Sequence, residues 1–453
     1  MTPSLAILLV SLACIIVLFK PLAVNYILLV IFAAFTEIGQ GFTSFEGSIF
    51  FNQDFLNFYK FRLIEFVVLV GFISFFLRDA LKGKFIIRNP LNKPLSFLIL
   101  WISFLLLFEM STTGRITPSD WRFVASGILL FYMFLQAAFT KGEVEKLCWV
   151  FLAAITIKAF VGLGAYLMGR GLVTFRGSVP FFWDNSIIKA FSAALLFCVS
   201  FIVFCKPKGY KKLYIMCAVS ILFLSIMFSL RRGIWIITFI GVAIVFMCEG
   251  VANLSKHLSR LFMLVLLVVL ILTVANVFMP QEVLQNVSKL FISMNVLDQD
   301  ARYVGTNPEH IRNIQEYLRL FETHPIVMSL GFRGVRLYDG RHLRLMYEST
   351  LGTAHNGLVQ SMYIWGIGGV IFYLWFFFAF FRYVFSRLKY LSPRGKGWVL
   401  GFLGYLIGDF TVTLLFLPPF YTTFKGNLLQ FFVMACVIML VREESSENGQ
   451  KIT

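Results

Sequence analysis

Runs of about 17 to 22 apolar residues recur along this 453-residue chain from Ser4 to Leu440, parted by short polar or basic stretches. A helix rises 1.5 Å per residue, so roughly twenty residues match the ~30 Å hydrocarbon core of a bilayer. Within that core each backbone N–H and C=O must be satisfied internally, which leaves helices and closed barrels. The period-two alternation of barrel strands is absent, so the runs are read as helices. With 59% hydrophobic residues, 14% charged ones and a mean hydropathy of +0.82, there is more apolar surface than a soluble core can hide. The expected class is an all-α polytopic membrane protein.

The expected spans are 4–19, 21–38, 61–77, 95–110, 121–139, 147–168, 186–205, 213–230, 233–248, 261–279, 356–381, 398–417 and 427–441. Basic residues gather in three connecting stretches: Arg78, Lys82, Lys84, Arg88 and Lys93; Lys206, Lys208, Lys211 and Lys212; Arg382, Arg387, Lys389, Arg394 and Lys396. All three fit the cytoplasmic side, because even numbers of spans separate them and positive loops stay inside. Stretches 39–60, 111–120, 169–185, 231–232, 280–354 and 418–426 then face outward. Thirteen spans start outside and twelve start inside; both counts stay open. The chain divides into an N-terminal bundle (1–279), a large outer, periplasmic loop (280–354), C-terminal spans (355–441) and a cytoplasmic tail (442–453).

A formal charge of +17 raises the question of nucleic acid, but the lysines and arginines sit in short inter-span loops, as orientation signals do. No nucleic-acid partner is expected. The seven cysteines lie in or beside expected spans, so no disulfide framework is implied. Neither CxxC nor HExxH occurs, and neither a metal nor another cofactor is expected. The first apolar run lacks a basic start and is expected to stay as a helix.

The 280–354 segment is too long for a connector and too short for a comfortable independent domain. Ile311, Ile314, Leu318 and Phe321 recur at helical spacing within 310–323, which describes an amphipathic helix that Pro325 ends. The segment carries seven arginines (Arg302, Arg312, Arg319, Arg333, Arg336, Arg341, Arg344) against eight acids. Most of these charges form a self-neutralised solvated surface. One or two arginines remain candidates for a ligand, since a guanidinium grips phosphate oxygens at two points.

Two other positions carry chemistry. Arg231-Arg232-Gly233 falls between two spans with almost no loop to hold the charges. Snorkelling to headgroups is one reading; an anionic phosphate ligand is the other. His355-Asn356 opens a span also expected to face outward. An imidazole there titrates near neutrality and can take a proton from a hydroxyl, while Asn356 can orient the ring or a sugar. Gly357, Gly366, Gly368 and Gly369 thin that helix for close approach. Glu65, Glu109, Lys158, Lys189 and Asp409 are charges in or near spans. Glu109 and Lys189 are expected to reach an interface, and Lys158 and Asp409 to enter an internal ion pair or polar network.

These residues resemble the O-antigen ligase and O-antigen polymerase family of bacterial inner-membrane glycosyltransferases. His355-Asn356-x9-Gly366-x-x-Gly369 fits the family's His-(Asn/Ser/Gln)-x9-Gly-x-x-(Gly/Thr/Tyr) pattern at each fixed position. Ser229-Leu-Arg231-Arg232-Gly233-Ile-Trp235 is similar to the family's Ser-x-Arg-Gly stretch. Arg312 through His324-Pro325 to Gly331-Phe-Arg-Gly334 looks like its arginine helix with a His-Pro and glycine turn, with two extra residues before the glycines. The likeness spans about 215–380.

The resemblance implies a glycan donor on undecaprenyl diphosphate, met at the periplasmic face of the inner membrane. It implies metal-independent, inverting transfer to a hydroxyl. His355 would be catalytic; Arg231, Arg232 and Arg312 or Arg302 would bind the diphosphate; Asn356, Gly366 and Gly369 would support. The leading expectation is an O-antigen ligase acting on lipid A-core. The alternatives are a polymerase joining lipid-linked repeat units and, from another class, a polytopic transporter or flippase using Lys158 and Asp409. Transporters commonly show internal repeats and paired broken helices, and no such pairing stands out here.

Overall fold

The computed structural model describes residues 3–20, 23–35, 54–56, 61–80, 89–113, 119–137, 141–167, 172–174, 177–179, 185–229, 231–249, 315, 318–319, 321–325, 329–331, 357–415 and 424–447. Twelve long helices are found among them. They are α1 Pro3–Phe19, α2 Ala23–Phe35, α3 Leu63–Ala80, α4 Asn92–Thr113, α5 Ser119–Ala137 and α6 Lys141–Leu167. Then come α7 Asn185–Cys205, α8 Gly209–Phe228, α9 Arg232–Glu249, α10 Gly357–Phe385, α11 Pro393–Leu415 and α12 Phe424–Glu447. Two short antiparallel ladders interrupt the helical pattern: β1 Asp54–Leu56 with β2 Phe61–Arg62, and β3 Leu172–Thr174 with β4 Gly177–Val179. An expectation of helices alone missed them, because two- and three-residue strands carry no readable periodicity.

Seven described helices are long and apolar enough to cross a membrane, and Ala23–Ala33, Ala125–Leu135 and Gly233–Glu249 are shorter apolar helices. The molecule is a polytopic helical membrane protein. Large apolar side chains such as Leu100, Leu107, Phe160, Phe239 and Phe378 are exposed on helix surfaces, as a lipid-facing wall requires. The helices agree with the expected spans except at residues 261–279, which lie outside the described residues, and within 356–381, where the helix is broken.

Helices α7, α9 and α11 form the centre. α11 presents Gly397, Gly401, Gly404 and Gly408, spaced four, three and four apart and so along one face. A Cβ on Gly401 would stand 2.5 Å from the Phe197 Cα, one on Gly404 2.8 Å from the Gly241 carbonyl oxygen, and one on Gly408 2.6 Å from that of Ile237. Backbones therefore touch where lipid offers no hydrophobic drive to hold helices together, and dispersion does the work. The same pairs set direction. Lys189, Leu196 and Cys205 of α7 meet Asp409, Gly401 and Gly397 of α11 in that order, so the two run antiparallel. Ile237 and Gly241 of α9 meet Gly408 and Gly404, also antiparallel.

The bundle thus has two ends. At one end, called the basic end here, lie Lys206–Lys212, Arg394 and Lys396. There Ser392 caps α11: its hydroxyl accepts from the Gly395 N–H at 3.0 Å and donates to Glu444 Oε2 at 2.7 Å, and Glu444 also accepts the Ser392 N–H at 3.1 Å. Pro393 follows at the first helical position, where its missing N–H costs nothing. Trp149, Phe197, Phe201 and Trp398 pack edge-to-face and tilted just inside this end, with centroids 5.2 to 6.2 Å apart. The expected end of the last span at residue 441 is corrected. α12 continues to Glu447, and Glu444 is buried as the anchor of the α11 cap.

The expected single helix at 356–381 is also corrected. α10 is broken at Gly366, whose φ of 63° and ψ of −155° are not helical. A Cβ on Gly369 would stand 2.6 Å from the Ser361 carbonyl oxygen. Eight residues of straight helix would separate those positions by ~12 Å, so the chain turns sharply between Trp365 and Gly369. The half-helix Gly357–Trp365 and the long half that follows are two rods.

Candidate functional site

Opposite the basic end, four helix termini come together. α11 arrives with Asp409 and Thr413; α7 starts there, with Lys189 as its fifth residue; α9 starts there at Arg232, just after Arg231; and α10 begins at Gly357. Thr413 is the meeting point. A Cβ on Gly357 would overlap its carbonyl and stand 2.8 Å from its Cγ2. On α9, Arg232 lies five residues before Ile237, the partner of Gly408, and Thr413 lies five residues beyond Gly408. Antiparallel packing therefore levels the start of α9 with Thr413, at the spacing of glycine-tight neighbouring helices.

The turn that holds Arg231 is closed by its sequence neighbours. Ser229 Oγ donates to the Ile226 carbonyl at 2.6 Å, and Trp235 Nε1 reaches back to the same oxygen at 3.0 Å, so the last carbonyls of α8 are satisfied. The Arg231 carbonyl accepts from the N–H groups of Ile234 and Trp235 at 3.0 and 3.3 Å, which makes Arg231 the N-cap of α9. Its side chain is half-buried. Ser229, Arg231 and Trp235 therefore close a helix-to-helix corner that places Arg231 at one end of the bundle.

One helical turn inside the mouth, Lys189 Nζ contacts Asp409 Oδ1 at 2.7 Å with side chains 11% and 3% exposed, and Thr413 Oγ1 lies 3.4 Å from the same carboxylate oxygen. Nearby, Ser192 and Thr238 share a hydroxyl hydrogen bond of 2.9 Å that ties α7 to α9. One expectation is overturned here and one is met, the internal ion pair of Asp409. Lys189 does not reach an interface, and Asp409 pairs with Lys189. Glu109 likewise is buried in α4, two turns beyond Trp101. Such pairing was hidden in the sequence because it depends on α7 and α11 being neighbours. The accessible signal was the placement of the two charges: Lys189 sits near the start of one span and Asp409 near the end of another.

The other expected residues divide plainly. His355, Asn356, Arg302 and Arg312 lie outside the described residues. Arg232 is the first residue of α9. Gly366 and Gly369 sit at the break in α10 rather than along a helix face. Of the expected amphipathic helix, Gln315, Leu318, Arg319 and Phe321–Thr323 are helical, with Leu318 and Arg319 exposed and Thr323 Oγ1 donating to the Arg319 carbonyl at 3.0 Å. Pro325 does end that turn, but helical backbone resumes at Pro325 itself, whose carbonyl accepts from Ser329 Oγ at 2.7 Å. Among the described residues, no group of three or more His, Cys, Asp or Glu side chains stands close enough to hold a metal ion.

Compared with known proteins, the chain matches no family model and no curated sequence.

Proposed function

We propose that this chain is a membrane-embedded, inverting glycosyltransferase whose donor is a glycan on a polyprenyl diphosphate and whose acceptor is a hydroxyl presented at the outer, periplasmic face. The acceptor oxygen attacks the anomeric carbon, the carbon–oxygen bond to the diphosphate breaks, and the hydroxyl proton passes to His355. Arg231, Arg232 and Arg312 or Arg302 stabilise the charge on the departing diphosphate, in place of a divalent cation. Asn356 orients the imidazole or the sugar.

One observation carries the reading: Gly357, the first residue of α10, packs on Thr413 near the end of α11, and the Ile237–Gly408 contact levels the start of α9 with that same residue. His355 precedes Gly357 by two residues, so the chain's reach keeps their Cα atoms within ~7 Å of each other. Gly357, which follows His355-Asn356 in sequence, and the start of α9 thus reach the same end of α11 through contacts between segments distant in the chain, which supports the reading. Basic residues at the opposite end support a cytoplasmic placement of that end.

The experiment supplies purified protein in liposomes with polyprenyl-diphosphate-linked glycan and, separately, lipid A-core or a second lipid-linked repeat unit. One addition of a whole glycan to lipid A-core is the outcome expected of a ligase. A ladder of repeat units would make the protein a polymerase. Transfer to neither acceptor, with flux of the lipid-linked glycan across the bilayer, would replace the transferase reading with transport.

A further inference from the structure

The break at Gly366 is built from both sides. A Cβ there would overlap the carbonyl of Ser329 and stand 2.8 Å from the carbonyl carbon of Leu330, so the 329–331 turn presses its backbone directly onto the break. Leu330 packs against the hydrophobic core and Gly331 is buried, with a φ of 68° of its own. On the inner side, Trp101 Nε1 donates to the Trp365 carbonyl at 2.7 Å. That carbonyl is one that an unbroken helix would satisfy through the N–H of Gly369. The Trp101 ring also occupies the space that a side chain at Gly368 would need, and Ser361 closes onto Gly369. Three glycines therefore admit a turn of backbone, an indole and a carbonyl. A φ near +63° with ψ near −155° is accessible to glycine alone.

This arrangement has a mechanical consequence. The half-helix Gly357–Trp365 is held at its first residue by Thr413 and at its last by Trp101 and the 329–331 turn. It is too short to be positioned by its own continuation, because the continuation points elsewhere. The same turn follows the helical Phe321–Thr323 stretch after only a few residues. One joint thus connects the 329–331 turn with the half-helix that begins at Gly357.

We propose that Gly366 is a positioning residue: the break it permits locks the 329–331 turn to the half-helix Gly357–Trp365 and so fixes where that half-helix starts, beside Thr413, during transfer. This rests on the glycosyltransferase reading above. A joint that aligns reacting groups acts on the chemical step, where displacement by ~1 Å can lower turnover about 100-fold. Uniform binding of the lipid donor, which depends on the rest of the bundle, is left in place.

The test pairs turnover with a distance. Gly366→Ala is assayed in liposomes with the lipid-diphosphate glycan, and spin labels at Glu322→Cys and Phe385→Cys, in a background without native cysteines, report the separation by pulsed electron resonance. Expected are a fall in kcat of about 100-fold, a donor KM within about threefold of wild type, and a broadened or shifted distance distribution. Gly164→Ala, where a Cβ meets nothing within 4 Å, should leave all three unchanged. Wild-type kcat in Gly366→Ala, or a raised KM at unchanged kcat, overturns the proposal, as does an unchanged distance. If Gly366→Ala fails to accumulate, Trp101→Phe, which removes only the N–H and part of the ring, decides in the same way: a lower kcat at unchanged KM supports the joint, and wild-type values overturn it. A wild-type protein that transfers glycan to no acceptor defeats the glycosyltransferase reading instead, whatever the distances show.

Discussion

Lys189 Nζ on α7 lies 2.7 Å from Asp409 Oδ1 on α11, at the opposite end of the interface from the Ser200 and Cys205 hydrogen bonds to the Lys396 and Arg394 carbonyls. Each charge makes the other tolerable where water is scarce. Asp409→Ala or Lys189→Met alone is expected to strand a buried charge and destabilise the fold by about 3–5 kcal/mol. Lys189→Met combined with Asp409→Leu should recover most of that loss. Thermal melts in detergent check this; single variants as stable as wild type would remove the pair from any structural role.

Gly401→Ala and Gly241→Ala both add one methyl group to the central interface, but they meet different neighbours. The first meets the backbone of Leu196 and Phe197, the second chiefly the movable end of the Leu196 side chain. Overpacking against backbone typically costs about 1–3 kcal/mol. Gly401→Ala is therefore expected to be the less stable of the two, and equal melting temperatures would show that α7 and α11 are less tightly apposed than described.

At the basic end, Ser392→Ala removes the cap of α11 together with the hydroxyl partner of Glu444. A loss of about 0.5–2 kcal/mol is expected from the cap alone. Truncation of the chain after Val441 should cost at least as much, because it deletes Glu444 as well. Protease sensitivity of α12 is the readout, and a truncated chain as resistant as the full one would refute the anchor.

On the functional side, Arg232→Ala is expected to reduce donor use more than Arg232→Lys, since lysine keeps the charge and loses the two-point fork. Equal transfer rates of the two variants with the lipid-diphosphate donor would argue against a bidentate phosphate contact.

His355→Ala should abolish glycan transfer while membrane abundance stays at the wild-type level. Full transfer by this variant would withdraw the imidazole from the reaction and leave the arginine corner without a partner.

Much of this molecule was written in local pattern. The twelve described helices lie where apolar runs stand, because a segment in lipid must satisfy its own backbone. Ser229, Arg231 and Trp235 form their corner among themselves, within seven residues, and that too is a local matter.

What tertiary structure decided is everything that requires two distant segments at once. The glycine face of α11 is visible as spacing, but only packing shows that it receives α7 and α9. Lys189 and Asp409 each look like an isolated charge until their helices become neighbours. Gly366 falls within an uninterrupted apolar run, where nothing in its period announces a break; the turn at Ser329 and the indole of Trp101 impose one from outside. Helix formation is a short-range bargain between a backbone and its solvent, whereas the joining of helix ends into a site depends on shapes supplied by other parts of the chain.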